Sequence, residues 1–246
     1  MTDLELERNA PYTPTPDNRP RSLRESPLPL TRDDDTQMSF GERAAVEGVL
    51  AQLRPDVAIE IGTAEGGSLR RIAAYSGEVH SIDVAHVPLG SPSQVPPNVT
   101  LHTGRSAERL PALLEALGAA GRGADFVLVD GDHSSEGVAG DLSALLASPV
   151  TRRTAILVHD TMNAEVRAGV ESVGFDDHER VLYWDLDFVT GYVYREGAAR
   201  GTAWGGLGLV VTGSGTPRPR GLSGRETLYA DPFAAIQGLR EGLNRP

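Results

Sequence analysis

Two short stretches of this sequence hold residues whose chemistry depends on being brought together: Asp130-Gly131-Asp132-His133 and His159-Asp160-Thr161. Each follows an apolar run, FVLV and AILV, of the kind that forms a strand buried on both faces. Two carboxylates that converge with further oxygens suit a hard divalent cation such as Mg²⁺, which keeps waters or substrate oxygens in its shell. His133, three residues after Asp130, is the candidate general base, because imidazole changes charge near neutral pH. The competing reading is that Asp132-His133-Ser134 caps the next helix, an ordinary use of Asp and Ser. A third stretch, Val57–Ser68 (VAIEIGTAEGGS), is an apolar run with one acid, Glu60, that breaks into a glycine-rich turn. Gly62, Gly66 and Gly67 open backbone conformations closed to other residues and let a ligand approach closely. Asp83 ends the following strand candidate about 20 residues on, where nucleotide-binding sheets place a ribose-binding acid.

Those residues need elements to hold them. Ser39-Phe40-Gly41-Glu42 is a capping-box pattern, followed at helical spacing by Ala45, Val46, Val49, Leu50 and Leu53, with Pro55 stopping the helix. Strand candidates at 57–61, 78–84, 99–102, 125–130 and 154–159 then alternate with helical stretches near 68–76, 106–118, 134–147 and 162–173. That alternation predicts an α/β fold with a doubly wound, mainly parallel sheet. Beyond Phe175 the texture becomes aromatic and β-branched: 181–194 and 204–211 read as late antiparallel strands that close one sheet edge. The stretch 86–98, with four prolines, reads as a loop, 213–225 as a Gly/Pro/Arg loop and 231–243 as an amphipathic terminal helix. Residues 1–36 are rich in proline and charge; they read either as a mobile tail or as an ordered arm anchored by Tyr12, Leu28 and Leu30. The division expected is therefore an arm at 1–36 and one domain at 37–246.

Composition removes whole classes of chemistry. The 246 residues contain no cysteine, which excludes disulfides, thiolate metal sites and cysteine nucleophiles. There is no lysine either: all 23 basic residues are arginine, so Schiff-base chemistry and a Walker-type phosphate loop are excluded. A formal charge of −11 argues against nucleic acid or anionic lipid as a partner. The N-terminus lacks the apolar core of a signal peptide, and no apolar run approaches the ~18 residues of a membrane span. The expectation is a soluble cytoplasmic protein.

EIGTAEGGS, HSIDV, LHTGRSAE, FVLVDGDHSSEGVAGDL and AILVHDT, in that order over about residues 40–175, resemble the class I S-adenosylmethionine-dependent methyltransferases. Within them the chain is most similar to the metal-dependent macrocin-type sugar O-methyltransferases, and more distantly to catechol O-methyltransferase. The resemblance implies a Rossmann-like seven-stranded sheet, S-adenosylmethionine as cofactor and a divalent cation, Mg²⁺ by expectation. It implies a small-molecule hydroxyl as acceptor, here a sugar of a secondary metabolite, and a homo-oligomer whose N-terminal segments help shape the pocket. Glu60, Gly62, Ala64, Gly66 and Ser68 would line the methionine end of the cofactor, Asp83 would take the ribose, and Ser106 with Ala107 would sit beside the adenine. Asp130 would stand at the edge of the cofactor and, with Asp160, bind the metal; His133 would be the base.

The chain departs from the family at the third ligand. Relatives often carry an acid just before the second aspartate or an asparagine just after it, where this chain has His159 and Thr161. Histidine suits softer metals better than Mg²⁺; Asp132 is a substitute ligand. Two rival readings are a nicotinamide oxidoreductase and a non-catalytic cofactor-binding protein. The G-x-x-x-G spacing opposes the first, since nicotinamide turns usually read G-x-G-x-x-G. The retained Asp130, His133 and Asp160 oppose the second. Past the matched region, Asp176-Asp177 and Asp185-Leu186-Asp187 read as a solvated loop rather than a glycosidase pair. Trp184, Phe188, Tyr192, Tyr194 and Trp204 are candidates for an acceptor pocket or for core packing.

Overall fold

The computed structural model describes residues 37–86, 95–195 and 200–214. The arm at 1–36, most of the loop at 86–98 and the terminal helix expected at 231–243 lie outside the described residues.

The chain enters through helix α1 (Phe40–Leu53), whose capping box forms as the sequence predicts: Ser39 accepts from the Glu42 N–H while Glu42 accepts from the Ser39 N–H. Arg54, in the left-handed conformation at φ 48°, closes the helix by donating its N–H to the Leu50 carbonyl at 2.8 Å. Next come β1 (Val57–Ile61), α2 (Gly67–Tyr75), β2 (Glu78–Asp83), β3 (Val99–Thr103), α3 (Ser106–Ala119), β4 (Phe126–Val129), α4 (Ser135–Ala147), β5 (Ala155–His159) and α5 (Ala164–Ser172). The late strands are β6 (Val181–Val189), β7 (Tyr192–Val193), β8 (Ala203–Trp204) and β9 (Leu207–Thr212).

Seven strands form one sheet in the order β3-β2-β1-β4-β5-β9-β6. The first five are parallel, and β9 pairs antiparallel with both β5 and β6. The late strands therefore close one edge of the sheet, as expected. This is the Rossmann-like methyltransferase fold. The aromatic run at 181–194 does not stay one strand. It leaves the sheet after Val189, and Tyr192–Val193 pairs with Ala203–Trp204 as a separate ribbon. Gly191 makes the crossing possible, since a Cβ there would stand 2.3 Å from the Trp204 carbonyl oxygen.

The central strands are buried on both faces, which is why they read as unbroken apolar runs. On one face Ile59, Val127 and Ile156 meet Leu110, Leu114, Leu142, Leu145 and Val170 from α3, α4 and α5. On the other face Ala58, Phe126 and Leu157 meet Val46, Leu50, Leu69 and Ile72 from α1 and α2. Each such side chain contributes about 1.5–3 kcal/mol on burial, so the sheet is a stiff platform for the loops at its strand ends. Among the described residues, no helix is long and apolar enough to cross a membrane.

Candidate active site

The strand order reverses between β1 and β4, and in an open α/β sheet the crevice at such a reversal, beyond the C-terminal strand ends, is where ligands bind. A cleft of about 1210 Å³ lies there, walled by the turns that follow β1 to β5. Gly62 forms its floor. At φ 93° its N–H donates to the Ile82 carbonyl at 2.8 Å, and a Cβ on it would fall 2.0 Å from the carbonyl oxygen of Asp130. Only a residue without a side chain lets the β1 turn and the β4 end approach this closely.

The turn then runs through Ala64 and Gly66, both at positive φ, with Gly66 opening α2. Asp83 ties it down. Its Oδ2 accepts from the Thr63 N–H at 2.7 Å and the Ala64 N–H at 3.2 Å, and its Oδ1 accepts from the Ala85 N–H at 3.1 Å. Burial presses this carboxyl upward, but those three donors outweigh it and hold the pKa below the usual carboxylate range. An ionised carboxylate with spare lone pairs stays at the cleft, as a ribose-binding acid requires.

Glu60 sits elsewhere than its position in the motif suggests. It alternates with Ala58 onto the α1/α2 face, is fully buried and is absent from the cleft lining. Its Oε1 accepts from the Ser68 hydroxyl at 2.7 Å and its Oε2 from the Ser81 hydroxyl at 2.6 Å, and Ser81 in turn meets Thr63 Oγ1 at 2.6 Å. Burial pushes its pKa up to about 8 against the pull of the two serines. Glu60 braces the turn from below. Gly66 is likewise not a lining residue, whereas Gly62, Ala64, Ser68 and Ser106 are.

The second constellation assembles as the sequence proposes. Atoms of Asp130, His159 and Asp160 lie within 4.8 Å of one another. His159 Nδ1 is 2.9 Å from Asp130 Oδ1 and 3.4 Å from Asp160 Oδ2. His133 Nε2 is 3.0 Å from Asp160 Oδ2 and 3.6 Å from Asp130 Oδ1. Asp160 adopts φ 59° and accepts from the Gly205 N–H at 2.6 Å through Oδ1, which fixes the direction of the carboxylate. The capping reading of residues 132–134 proves true of its last member alone. Ser134 caps α4 by accepting from the Gly137 N–H, and Asp132 turns back to the Ser134 N–H. His133 is left free to face the cluster, and Asp132 stands outside it.

One member was not legible as a site residue. Glu42, seen in the sequence only as half of a capping box, is fully buried; its Oε1 accepts from the Gly206 N–H and lies 3.4 Å from His159 Nε2. Burial pushes Glu42 toward neutrality, yet His159 and Ser39 hold its pKa below the ordinary value. Burial likewise lowers the His159 pKa, but Asp130, Asp160 and Glu42 around it raise it to about 12. The carboxylates of Asp130 and Asp160 raise that of His133 to about 9. Two imidazolium ions thus sit among three carboxylates, which leave negative charge in excess.

This donor set fits a divalent cation: two carboxylates and a nitrogen converge at one cleft edge, with cationic side chains holding the place of positive charge. To coordinate, His159 would have to give up its proton, so binding would be coupled to pH.

Above the cluster, Tyr192, Tyr194 and Trp204 line the cleft, with the Trp204 ring 5.7 Å edge-on from that of His133. Trp184 and Phe188, proposed beside them, pack against the core instead. Three of the four late acidic residues have structural partners: Asp187 is bidentate with Arg167 at 2.7 and 3.0 Å, Asp176 accepts from Trp184 Nε1 at 3.2 Å, and Asp185 accepts from the Asp187 N–H at 2.9 Å.

Residues 59–161 match a family model described as a methyltransferase domain. The O-methyltransferase TomG from Streptomyces achromogenes, involved in tomaymycin synthesis and solved in complex with SAM, has a similar structure. Its TM-score is 0.53 at 18% identity, covering 80% of this chain and 92% of that one. Cofactor-bound Rv0187 from MTB gives 0.51 at 18% identity, covering 76% and 85%. An O-methyltransferase from Bacillus cereus in complex with SAH gives 0.50 at 16%, covering 79% and 92%. At these identities the likeness speaks for the fold. The search of curated proteins finds no match to this chain. Sheet order and the cleft at the β1/β4 reversal agree with the match of residues 59–161 to a methyltransferase domain and with the Rossmann-like methyltransferase fold.

Proposed function

We propose that this enzyme is an O-methyltransferase that moves the methyl group of S-adenosylmethionine to a hydroxyl of a small molecule, with a divalent cation at Asp130, Asp160 and His159. The observation that carries the reading is the convergence of these three residues, with His133 3.0 Å from Asp160, at the mouth of the cofactor cleft.

The turn from Gly62 to Ser68 and the carboxylate of Asp83 hold the donor still, while Asp130 and Asp160 orient the acceptor hydroxyl toward it. Alignment of this kind is the main service an enzyme can give an in-line displacement. A divalent cation bound there supplies a lowered pKa for the coordinated hydroxyl. His133, 41% exposed on its side chain and facing the cleft, takes the proton as the oxygen attacks. Its raised pKa reflects the uncompensated charge of Asp130 and Asp160; once that charge is balanced, the reason for holding the proton is gone.

Tyr192, Tyr194 and Trp204 supply aromatic surface for the acceptor, and Tyr192 and Tyr194 are 36% and 40% exposed. Such faces suit the C–H face of a sugar ring, which supports a glycosyl hydroxyl of a secondary metabolite as the acceptor. The reading keeps 37–246 as the catalytic domain. The test is methyl transfer from labelled S-adenosylmethionine to a panel of glycosylated and phenolic hydroxyls, with and without a chelator. Asp160→Asn should abolish metal-stimulated transfer and leave S-adenosylhomocysteine binding within about threefold. Transfer that survives both the substitution and the chelator refutes the metal assignment.

A further inference from the structure

The metal–base cluster departs from an all-oxygen site at one position, and the interior behind that position fits the departure. His159 ends β5 and is 5% exposed, so its ring is enclosed. Nδ1 faces the two carboxylates, 2.9 Å from Asp130 Oδ1 and 3.4 Å from Asp160 Oδ2. Nε2 faces the other way, 3.4 Å from Glu42 Oε1. Glu42 is itself held from two sides. Its Oε1 accepts from the Gly206 N–H and its Oε2 from the Ser39 N–H, one just before β9 and the other at the start of α1. The two neighbours in sequence that could have supplied a third oxygen are turned elsewhere. Asp132 accepts from the Ser134 N–H, and Thr161 is buried outside the cleft lining.

A carboxylate accepts and never donates. A neutral imidazole held against Glu42 therefore carries its hydrogen on Nε2 and leaves the Nδ1 lone pair toward Asp130 and Asp160. A carboxylate behind a histidine in this way fixes the ring and raises the basicity of the nitrogen on the far side, as it does behind metal-ligating histidines generally. A nitrogen donor also discriminates among cations. Mg²⁺ prefers oxygen and gives up its waters reluctantly, whereas imidazole suits first-row transition ions. Two carboxylates and one buttressed nitrogen make a mixed donor set, suited to the second kind of ion.

We infer that this site selects a first-row transition ion over Mg²⁺, bound through His159 Nδ1, and that Glu42 is the positioning residue that keeps this nitrogen aimed at Asp130 and Asp160. The inference rests on the proposed metal site and narrows it. The Mg²⁺ expected from the family resemblance is the weaker ligand here, because the chain has a nitrogen where an oxygen donor was expected.

The test is calorimetric titration of chelator-treated protein with Mg²⁺ and with Co²⁺, for wild type, His159→Asp and Glu42→Gln, each checked by its melting curve. Wild type should bind Co²⁺ more tightly than Mg²⁺ by about 10²-fold or more, and His159→Asp, which supplies oxygen, should lower that ratio at least about tenfold. Glu42→Gln should weaken Co²⁺ binding about 10–100-fold while Mg²⁺ affinity stays within about threefold. Proton NMR of the Co²⁺-loaded wild type reads the ligation directly. The Nε2–H of a coordinated His159 gives a far-shifted resonance that is lost in heavy water, and His159→Asp should lack it. The wild-type spectrum decides the matter if the aspartate variant does not fold. A ratio unchanged in His159→Asp, or a wild-type spectrum without that resonance, overturns the inference and leaves the metal site standing. Unchanged Co²⁺ affinity in Glu42→Gln overturns the positioning role. Wild-type protein that binds neither cation overturns the metal site as well.

Discussion

Gly62→Ala tests whether the cofactor turn and the metal edge are one rigid unit, and Gly121→Ala is its built-in control. Both glycines sit at positive φ, 93° and 68°. A Cβ on Gly121 meets nothing within 4 Å, whereas a Cβ on Gly62 meets the Asp130 carbonyl oxygen at 2.0 Å, its carbon at 2.5 Å and Gly131 Cα at 2.9 Å. The control substitution therefore pays only the left-handed strain of an L-residue, about 1–2 kcal/mol. Gly62→Ala adds a backbone collision that no rotamer relieves. To reach an ordinary contact, the end of β4 must retreat by about 1.4 Å from β1, against the Asp130 N–H to Ile61 carbonyl bond at 2.8 Å. Overpacking of this kind costs about 1–3 kcal/mol, for a total of about 2–5 kcal/mol. A chain of this size loses roughly 2–4 °C of melting temperature per kcal/mol. Scanning calorimetry should thus show Gly62→Ala melting at least about 4 °C below wild type and clearly below Gly121→Ala. Calorimetric titration should show Gly62→Ala losing S-adenosylhomocysteine affinity by tenfold or more while Gly121→Ala keeps it. Equal melting temperatures and equal affinities for the two variants would refute the reasoning.

Glu60 carries a pH signature. Its pKa is raised from 4.5 to about 8 in the folded protein, so the native state holds a proton the unfolded chain releases. Its contribution is complete below about pH 4.5 and is lost as pH climbs through 8, with a ceiling of about 5 kcal/mol. Denaturant melts of Glu60→Gln, neutral throughout, should match wild type near pH 5 and exceed it near pH 8.5; parallel pH profiles would count against a protonated brace. His133→Ala should lower kcat about 10²–10⁴-fold with S-adenosylhomocysteine affinity unchanged, and an unaltered rate would reduce it to a bystander. Glu42→Ala strands the Gly206 N–H and the His159 imidazole in the interior. It should cost about 2–4 kcal/mol in urea melts, and a change below about 1 kcal/mol would show that the contact is not a structural tie. Trp204→Ala should raise the KM for the acceptor with the KM for S-adenosylmethionine unmoved, measured by initial rates at saturating donor.

What was legible in the sequence was whatever is written locally. Period and punctuation placed β1 at Val57–Ile61 and the capping box at Ser39, because alternation and caps depend on neighbours a few residues away. The spacing of Asp130, His133 and Asp160 was readable for a related reason. Each follows an unmistakable buried strand, and parallel pairing of β4 with β5 leaves little freedom in where their ends meet. Three features were decided only by tertiary structure. Glu60 looked like a cofactor ligand, but strand alternation turns it to the α1/α2 face, where Ser68 and Ser81 meet it from distant positions. Glu42 joins the cluster across more than a hundred residues, through a turn at Gly205–Gly206 that the local pattern presents only as the start of a strand. Asp141 looks like one charge on an amphipathic helix, yet it is buried and lines the cleft. Chain order states which groups are present; close packing decides which of them face water, which face one another, and which are left needing a ligand.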